Sequence, residues 1–208
     1  MARYTGPVCR LCRRESQKLF LKGSRCFTEK CAYERRQTAP GMHGDWKRKP
    51  SEYGIRLREK QKLRRVYGLL EKPFRNLFEK ASRKAGVTGE IFLGMLERRL
   101  DNVIFRLGFA NSRNQARQMA RHGFFTVNGS KVNIPSYQLR PGDVVALSDR
   151  GKKSPLVSGI LEVGGTSAVP GWLAADMPNL RGQVVEMPGR AQIDVQVNEQ
   201  LVVEFYSR

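Results

Sequence analysis

Four cysteines stand within the first 31 residues, as Cys9-x2-Cys12, then thirteen residues, then Cys26-x4-Cys31. A two-residue gap lets one turn present two thiolates to a single ion. The four-residue gap supplies a second pair, and the loop between brings the pairs together as a tetrahedral site. Arg10, Arg13, Arg14, Arg25 and Lys30 lie between or beside the cysteines. They favour thiolate over thiol and offset the double negative charge of a four-thiolate zinc centre. Four protein ligands leave no open position for substrate, so the expected centre is structural, with one zinc ion. An iron–sulfur cluster takes the same ligands, and four thiols with nothing bound is the remaining alternative. Disulfides need an oxidising compartment. The opening residues Arg3-Tyr4-Thr5-Gly6-Pro7 lack the apolar stretch of a leader peptide, which points to the cytoplasm.

The other chemistry is cationic. Lys and Arg total 38 against 19 Asp and Glu, giving a net charge of +19. Self-repulsion of that size opposes compaction unless a polyanion neutralises it, and nucleic acid is the expected polyanion. A membrane surface fits less well, because the mean hydropathy is −0.50 and no apolar run is long enough to span a bilayer. Residues 1–150 hold 33 Lys/Arg against 13 Asp/Glu, while 151–208 hold 5 against 6. Contact with the polyanion is thus expected over the first three-quarters of the chain.

Helices are expected to present these cations. Ser51 can cap a helix over 52–67 that stops at Gly68 and carries Arg56, Arg58, Lys60, Lys62, Arg64 and Arg65. Arg56, Lys60 and Arg64 form one row at four-residue spacing, where like charges repel. Such a row gains nothing in a purely structural helix, but against phosphates each contact releases counterions. Lys47, Arg48 and Lys49, in the Pro/Gly-rich stretch 40–50, are further phosphate candidates. Phe74, Leu77, Phe78 and Ala81 mark a core-facing helix that ends near Gly86. Thr88 opens another, with Ile91, Met95 and Leu96 as its buried set.

Leu100, Val103, Ile104 and Leu107 give an apolar stripe ending at Gly108. Ser112 with Gln115 then forms a capping box. The helix it starts buries Ala116, Met119 and Ala120 and carries Arg113, Arg117 and Arg121 in one row suited to a phosphate ridge. Strands are expected over 124–127 and 130–134, joined by Asn128-Gly129, the strongest short hairpin signal. Lys131 in this hairpin is a further RNA-binding candidate. A third strand over 144–147 follows the turn Pro141-Gly142-Asp143. Residues 151–170 look like a linker.

Arg99-Leu100-Asp101-Asn102, Ser112-Arg113-x-Gln115-Ala116-Arg117-Gln118, His122-Gly123, Val127-Asn128-Gly129 and Pro141-Gly142-Asp143 resemble the RNA-binding module named after bacterial small-subunit ribosomal protein four. Similar modules occur in some pseudouridine synthases and tyrosyl-tRNA synthetases. Other segments extend the resemblance over nearly the whole chain: Ala2-Arg3-Tyr4-x-Gly6-Pro7, Pro40-Gly41-x-His43-Gly44, Leu57-Arg58-Glu59-Lys60-Gln61-Lys62, Tyr67-Gly68, Phe74-Arg75-Asn76 and Val197-Asn198-Glu199-Gln200-Leu201-Val202-Val203-Glu204-Phe205-Tyr206-Ser207.

The resemblance implies an α+β architecture in four parts. Residues 1–45 would form the four-cysteine metal knuckle and basic loop, and 46–98 a helical domain. Residues 99–165 would form the inserted RNA-binding module, two helices followed by a small antiparallel sheet. Residues 166–208 would pack back on the helical domain. The four retained cysteines match the metal-binding branch of that family.

The resemblance further implies direct binding of small-subunit ribosomal RNA and nucleation of its 5′ region during assembly. It implies a neighbour, small-subunit ribosomal protein five, at an interface affecting decoding accuracy, and a position near the path by which messenger RNA enters. An RNA-modifying enzyme carrying the module would need a catalytic domain. The sequence shows no Gly-rich phosphate loop, no Cys–His pair outside the knuckle and no carboxylate constellation. A DNA-binding regulator fits the charge but not the remaining motifs.

Overall fold

A computed structural model describes residues 3–44, 49–163 and 169–207. The helices in chain order are α1 (Cys9–Glu15), α2 (Ala32–Arg35), α3 (Glu52–Val66), α4 (Glu71–Ser82), α5 (Thr88–Glu97), α6 (Leu100–Arg106), α7 (Arg113–Arg121), α8 (Asp149–Lys152), α9 (Pro155–Val163) and α10 (Glu199–Tyr206). The strands are β1 (Phe125–Val127), β2 (Ser130–Lys131), β3 (Val144–Leu147), β4 (Leu173–Asp176) and β5 (Arg181–Val184). The chain divides into two compact units. One holds Met1–Phe92 and Val195–Arg208, the other Leu93–Asp194, and the division falls within α5.

In the first unit α3 starts where Ser51 accepts the Gly54 N–H at 3.2 Å and ends before Gly68 at φ 64°. It packs against α10, with the Tyr53 ring 5.7 Å from that of Phe205. Phe74 and Phe78 meet the edge of Phe92 at centroid distances of 5.0 and 5.4 Å, and Tyr206 lies 4.7 Å from Phe78. Tertiary packing of this aromatic group outweighs the weak helix-forming tendency of α3, whose positive row opposes an isolated helix.

The second unit is built on α6, α7 and a five-stranded antiparallel sheet of order β2-β1-β3-β5-β4. Val127 pairs with Ser130 across Asn128 and Gly129, at φ 49° and 81°, and Phe125 pairs with Leu147 on β3. The buried face of the sheet offers Phe125, Val127, Val145, Leu147 and Val184 to Leu100, Val103, Ile104 and Leu107 of the α6 stripe and to Ala116 and Ala120 of α7.

Two differences from the sequence reading stand out. Part of the expected linker, Pro155–Val163, is the helix α9, which sends Val157 and Ile160 into the same core. The return to the helical domain begins at Val195, not at 166, because β4, β5 and the fully buried Trp172 belong to the second unit. β5 is hard to see in sequence because its inward positions are Gly182 and Val184. A Cβ at Gly182 would stand 2.4 Å from Leu107, so glycine is what lets the sheet close on α6. Among the described residues no helix is long and apolar enough to cross a membrane.

One ion pair ties α3, α4 and α10 together. Lys60, only 4 % exposed, donates to Glu71 at 2.7 Å and lies 4.5 Å from the centre of the Phe205 ring. The Tyr206 hydroxyl donates to the same carboxylate oxygen at 2.8 Å. Burial alone would raise the Glu71 carboxyl, but Lys60 and Tyr206 hold it below the ordinary carboxylate range. A carboxyl depressed in the folded state adds stability that is complete above its unfolded value of about 4.3 and is lost as pH falls through the folded value. Glu71→Gln should therefore make the loss of stability on acidification shallower. Urea midpoints between about pH 3 and 6 measure this; superimposable curves for the two proteins would refute it.

Candidate nucleic-acid interface

α7 is capped as its sequence suggests, with Ser112 accepting the Gln115 N–H at 3.3 Å. The Gln115 side chain accepts from Asn111 N–H at 2.8 Å, so the reciprocal bond falls one residue before the cap. The arginine row divides. Arg117 is 5 % exposed and donates to Asp101 at 3.2 Å. Asp101 also receives a two-pronged contact from Arg99, at 3.0 and 2.7 Å. Arg113 donates to Asn102 Oδ1 at 2.7 Å and stacks 4.6 Å from the Phe105 ring centre.

Arg117 thus faces inward, and Arg113, half-buried, leans on α6, so the two do not stand with Arg121 in one outward row. The reason is helical phase. Positions 113, 116, 117 and 120 follow the i, i+3, i+4, i+7 pattern, so both arginines sit on the stripe that Ala116 and Ala120 bury. Asp101 and Asn102 on α6 meet them there. Burial pulls the Arg117 guanidinium down from its ordinary value, with Asp101 opposing.

A neighbouring network surrounds the fully buried Glu97. Asn102 donates to it at 2.7 Å, and Arg106 spans both its oxygens at 3.1 and 3.0 Å. Arg106 also reaches Asp194 at 2.9 Å. Burial alone would lower the Arg106 guanidinium, yet Asp194 and Glu97 hold it above its ordinary value.

Outward-facing cations gather elsewhere in this unit, around the end of α7. Arg121, Lys131, Arg150, Lys152 and Lys153 are all exposed, as is the ring of His122. Lys131 lies across Gly123, where an added Cβ would meet its Cε at 2.3 Å. Ser148 Oγ donates to the Gly123 carbonyl at 3.0 Å and docks the start of α8 on the same turn. The Phe124 ring sits beneath this group, 5.9 Å from both the Arg150 guanidinium and the His122 ring. Of these, the sequence reading named Arg121 as an expected phosphate contact and Lys131 as an RNA-binding candidate. It did not name Arg150, Lys152 and Lys153, which the structure exposes on and just after α8. Ser148 followed by Asp149 was the available signal, since its hydroxyl caps α8 by accepting the Gly151 N–H at 3.3 Å.

In the first unit every expected contact on α3 has a partner. Arg56 donates to Glu204 at 2.7 Å, Arg58 to Glu15 at 3.4 Å, Lys62 to Glu59 at 2.7 Å and Arg64 to Gln61 at 2.6 Å. Arg65 also pairs with Glu15. The row Arg56, Lys60 and Arg64 therefore has a structural task, joining α3 to Glu204 of α10 and Glu71 of α4. Lys49 is exposed, while Lys47 and Arg48 lie outside the described residues.

Cys9 and Cys12 lie on α1, Cys26 on a short 3-10 turn (Gly23–Phe27), and Cys31 at the cap of α2. None forms a disulfide, and all but Cys9 are buried. Burial pushes the Cys12 and Cys26 thiols up, and the other cysteines add to the effect, so the four sulfurs feel one another. The Lys22 N–H donates to Cys26 Sγ at 3.3 Å, a bond that favours thiolate. Among the described residues, however, no group of three or more His, Cys, Asp or Glu side chains is placed to hold a metal ion. The donor chemistry fits a four-thiolate centre; the side-chain positions do not close one.

A helix pair braced by buried arginines, opening into a small sheet with exposed cations beside it, is the architecture of a nucleic-acid-binding protein. Residues 3–97 match the ribosomal protein S4/S9 N-terminal domain, and residues 98–145 match the S4 domain. The chain is 59 % identical over 208 residues to the small ribosomal subunit protein uS4 of Pelotomaculum thermopropionicum, covering all of both chains. It is 60 % identical to that of Dictyoglomus thermophilum over 208 residues and 56 % to that of Thermus thermophilus over 209, again with both chains fully covered. The chain belongs to the small ribosomal subunit protein uS4 family.

Asp101 and Arg121 should separate fold from contact. Asp101→Asn leaves Arg99 and Arg117 buried without their carboxylate and should cost about 3–5 kcal/mol of stability. Arg121→Ala should change stability by no more than about 0.5 kcal/mol while lowering the salt slope of RNA binding by about one unit or less. Urea unfolding and binding at several salt concentrations measure the two; a stable Asp101→Asn protein would contradict the assignment.

Proposed function

We propose that the chain is a structural protein of the small ribosomal subunit that binds small-subunit ribosomal RNA directly. The cation group around Phe124, on the unit that carries the S4 domain, is the observation that supports contact with RNA. Identity to ribosomal proteins across all 208 residues supports the assembly and leaves no part of them for a catalytic domain. The enzyme and DNA-regulator readings are dropped on that ground. The exposed side chains around Gly123 present charge without an aromatic or amide array, which suits phosphate ridges and shape more than base edges. An A-form helix, whose major groove is too deep and narrow for side chains, is bound in that way.

The finer reading rests on the family resemblance. In it the chain nucleates the 5′ region of the ribosomal RNA, touches small-subunit ribosomal protein five, and contributes to decoding accuracy near the path of incoming messenger RNA. It works in the cytoplasm, within the subunit. The whole chain should prefer a multi-helix junction from the 5′ region of small-subunit RNA over a plain RNA duplex and over duplex DNA of equal length at matched salt. Arg121→Glu with Lys131→Glu should weaken all RNA binding. Equal affinity for junction and DNA would defeat the proposal.

The knuckle is proposed to hold one structural zinc through Cys9, Cys12, Cys26 and Cys31, with an iron–sulfur cluster as the alternative. Support comes from the four neighbouring thiols and the Lys22 N–H at Cys26. Bound metal supplies a cross-link among α1, the 3-10 turn and α2. Cys26→Ser should release the metal and loosen residues 1–45 while the second unit stays folded. Elemental analysis checks this: neither zinc nor iron in the purified protein would show the site to be wrong, and iron with a visible absorption band would favour the cluster.

A further inference from the structure

Single apolar side chains in solvent are ordinary, but Phe20 and Phe27 are exposed as a pair. They are 42 % and 63 % exposed, and their rings stack on each other with centroids 5.0 Å apart and planes 25° apart. Phe20 has φ 50°, the left-handed region that a bulky side chain occupies only when its surroundings impose it. Leu19, its neighbour in sequence, is 4 % exposed, so the chain buries Leu19 and turns Phe20 out. Phe27 ends the 3-10 turn and is fixed by Thr28, whose N–H and hydroxyl both donate to the Arg25 carbonyl, at 3.4 and 3.1 Å. Lys22, Arg25 and Lys30 surround the pair in sequence, and all three are exposed.

We propose that Phe20 and Phe27 form a stacking platform for an unpaired base of the bound RNA, with Lys22 and Arg25 placed for its flanking phosphates. The inference deepens the RNA-binding reading and rests on it. An aromatic face among cations is how proteins hold single-stranded nucleic acid: the base lies on the ring and the backbone follows the charge. A protein partner would call for a wider apolar surface than two rings set among positive charges. The platform adds a contact that the phosphate-directed cations near Phe124 do not supply.

Two measurements on the full-length protein test it. The small-subunit junction RNA, with 5-iodouridine replacing uridine, should crosslink on irradiation to Phe20 or Phe27. Crosslinks confined to other residues would overturn the platform without touching the RNA reading. In binding, Phe27→Leu should weaken affinity roughly 5- to 150-fold, the range for losing one base–aromatic stack, with the salt slope unchanged. Phe27→Tyr, which keeps a ring, should stay within about twofold. If Phe27→Leu binds RNA as the parent does yet fails to join reconstituted subunits, a protein covers the patch and the proposal falls. Failure of the parent to bind RNA would instead remove the underlying reading.

Discussion

Two buried carboxylates, Glu97 and Asp101, organise the second unit. Asp101 holds Arg99 and Arg117, Glu97 holds Arg106, and Asn102 links Glu97 to Arg113. Desolvating so many charges is expensive, and an apolar core of similar volume could be as stable. What the network adds is register. Each guanidinium fork meets particular carboxylates or an amide, and Arg113 and Arg117 of α7 meet Asn102 and Asp101 of α6, so the two helices cannot slide past each other as greasy helices can. The turn at Gly123, the hairpin after it and α8 all hang from the end of α7. Their cations keep a fixed spacing only because that helix is pinned.

The same residue type therefore does opposite jobs a few positions apart. Arg117 neutralises an acid in the interior, and Arg121, one turn later, faces solvent. On α3 the cations meet acids of three other helices, Glu15, Glu71 and Glu204. A net charge of +19 points to a polyanion but does not locate it, because many of the cations are already used within the fold. In the second unit the exposed ones include those at the end of α7, on β2 and on α8, and in the first unit Lys22, Arg25 and Lys30 are exposed as well.

Helix limits were legible because they rest on local chemistry: Ser51 and Ser112 accept the hydrogen bonds their positions suggest, and Gly68, Gly108 and Gly123 have positive φ at the ends. The apolar stripe of α6 was legible for the same reason. What escaped was non-local. Nothing within α3 announces Glu204, which meets Arg56 from 148 positions away. The direction of Arg113 and Arg117 depended on Asn102 and Asp101 in another helix, although the 113-116-117-120 phase was present in the sequence. β5 escaped because a strand whose buried positions are Gly182 and Val184 has almost no hydrophobic alternation to read. Cysteine spacing pointed to a shared neighbourhood, which the structure contains; the identity of any bound group is not a property of spacing.

The discontinuous first unit also sets an order of events. Synthesis runs from the N-terminus, and α10, which supplies Glu204 against Arg56 and Tyr206 against Phe78 and Glu71, is made after the whole second unit. The second unit is one continuous stretch, Leu93–Asp194, and has all its parts before the final helix emerges. Domains of a growing chain ordinarily complete in order from the front; here the later one can close first. Until then α3 keeps part of its positive row unanswered and part of its aromatic core uncovered. The acid and the rings that α10 contributes, Glu204, Phe205 and Tyr206, are what answer and cover them.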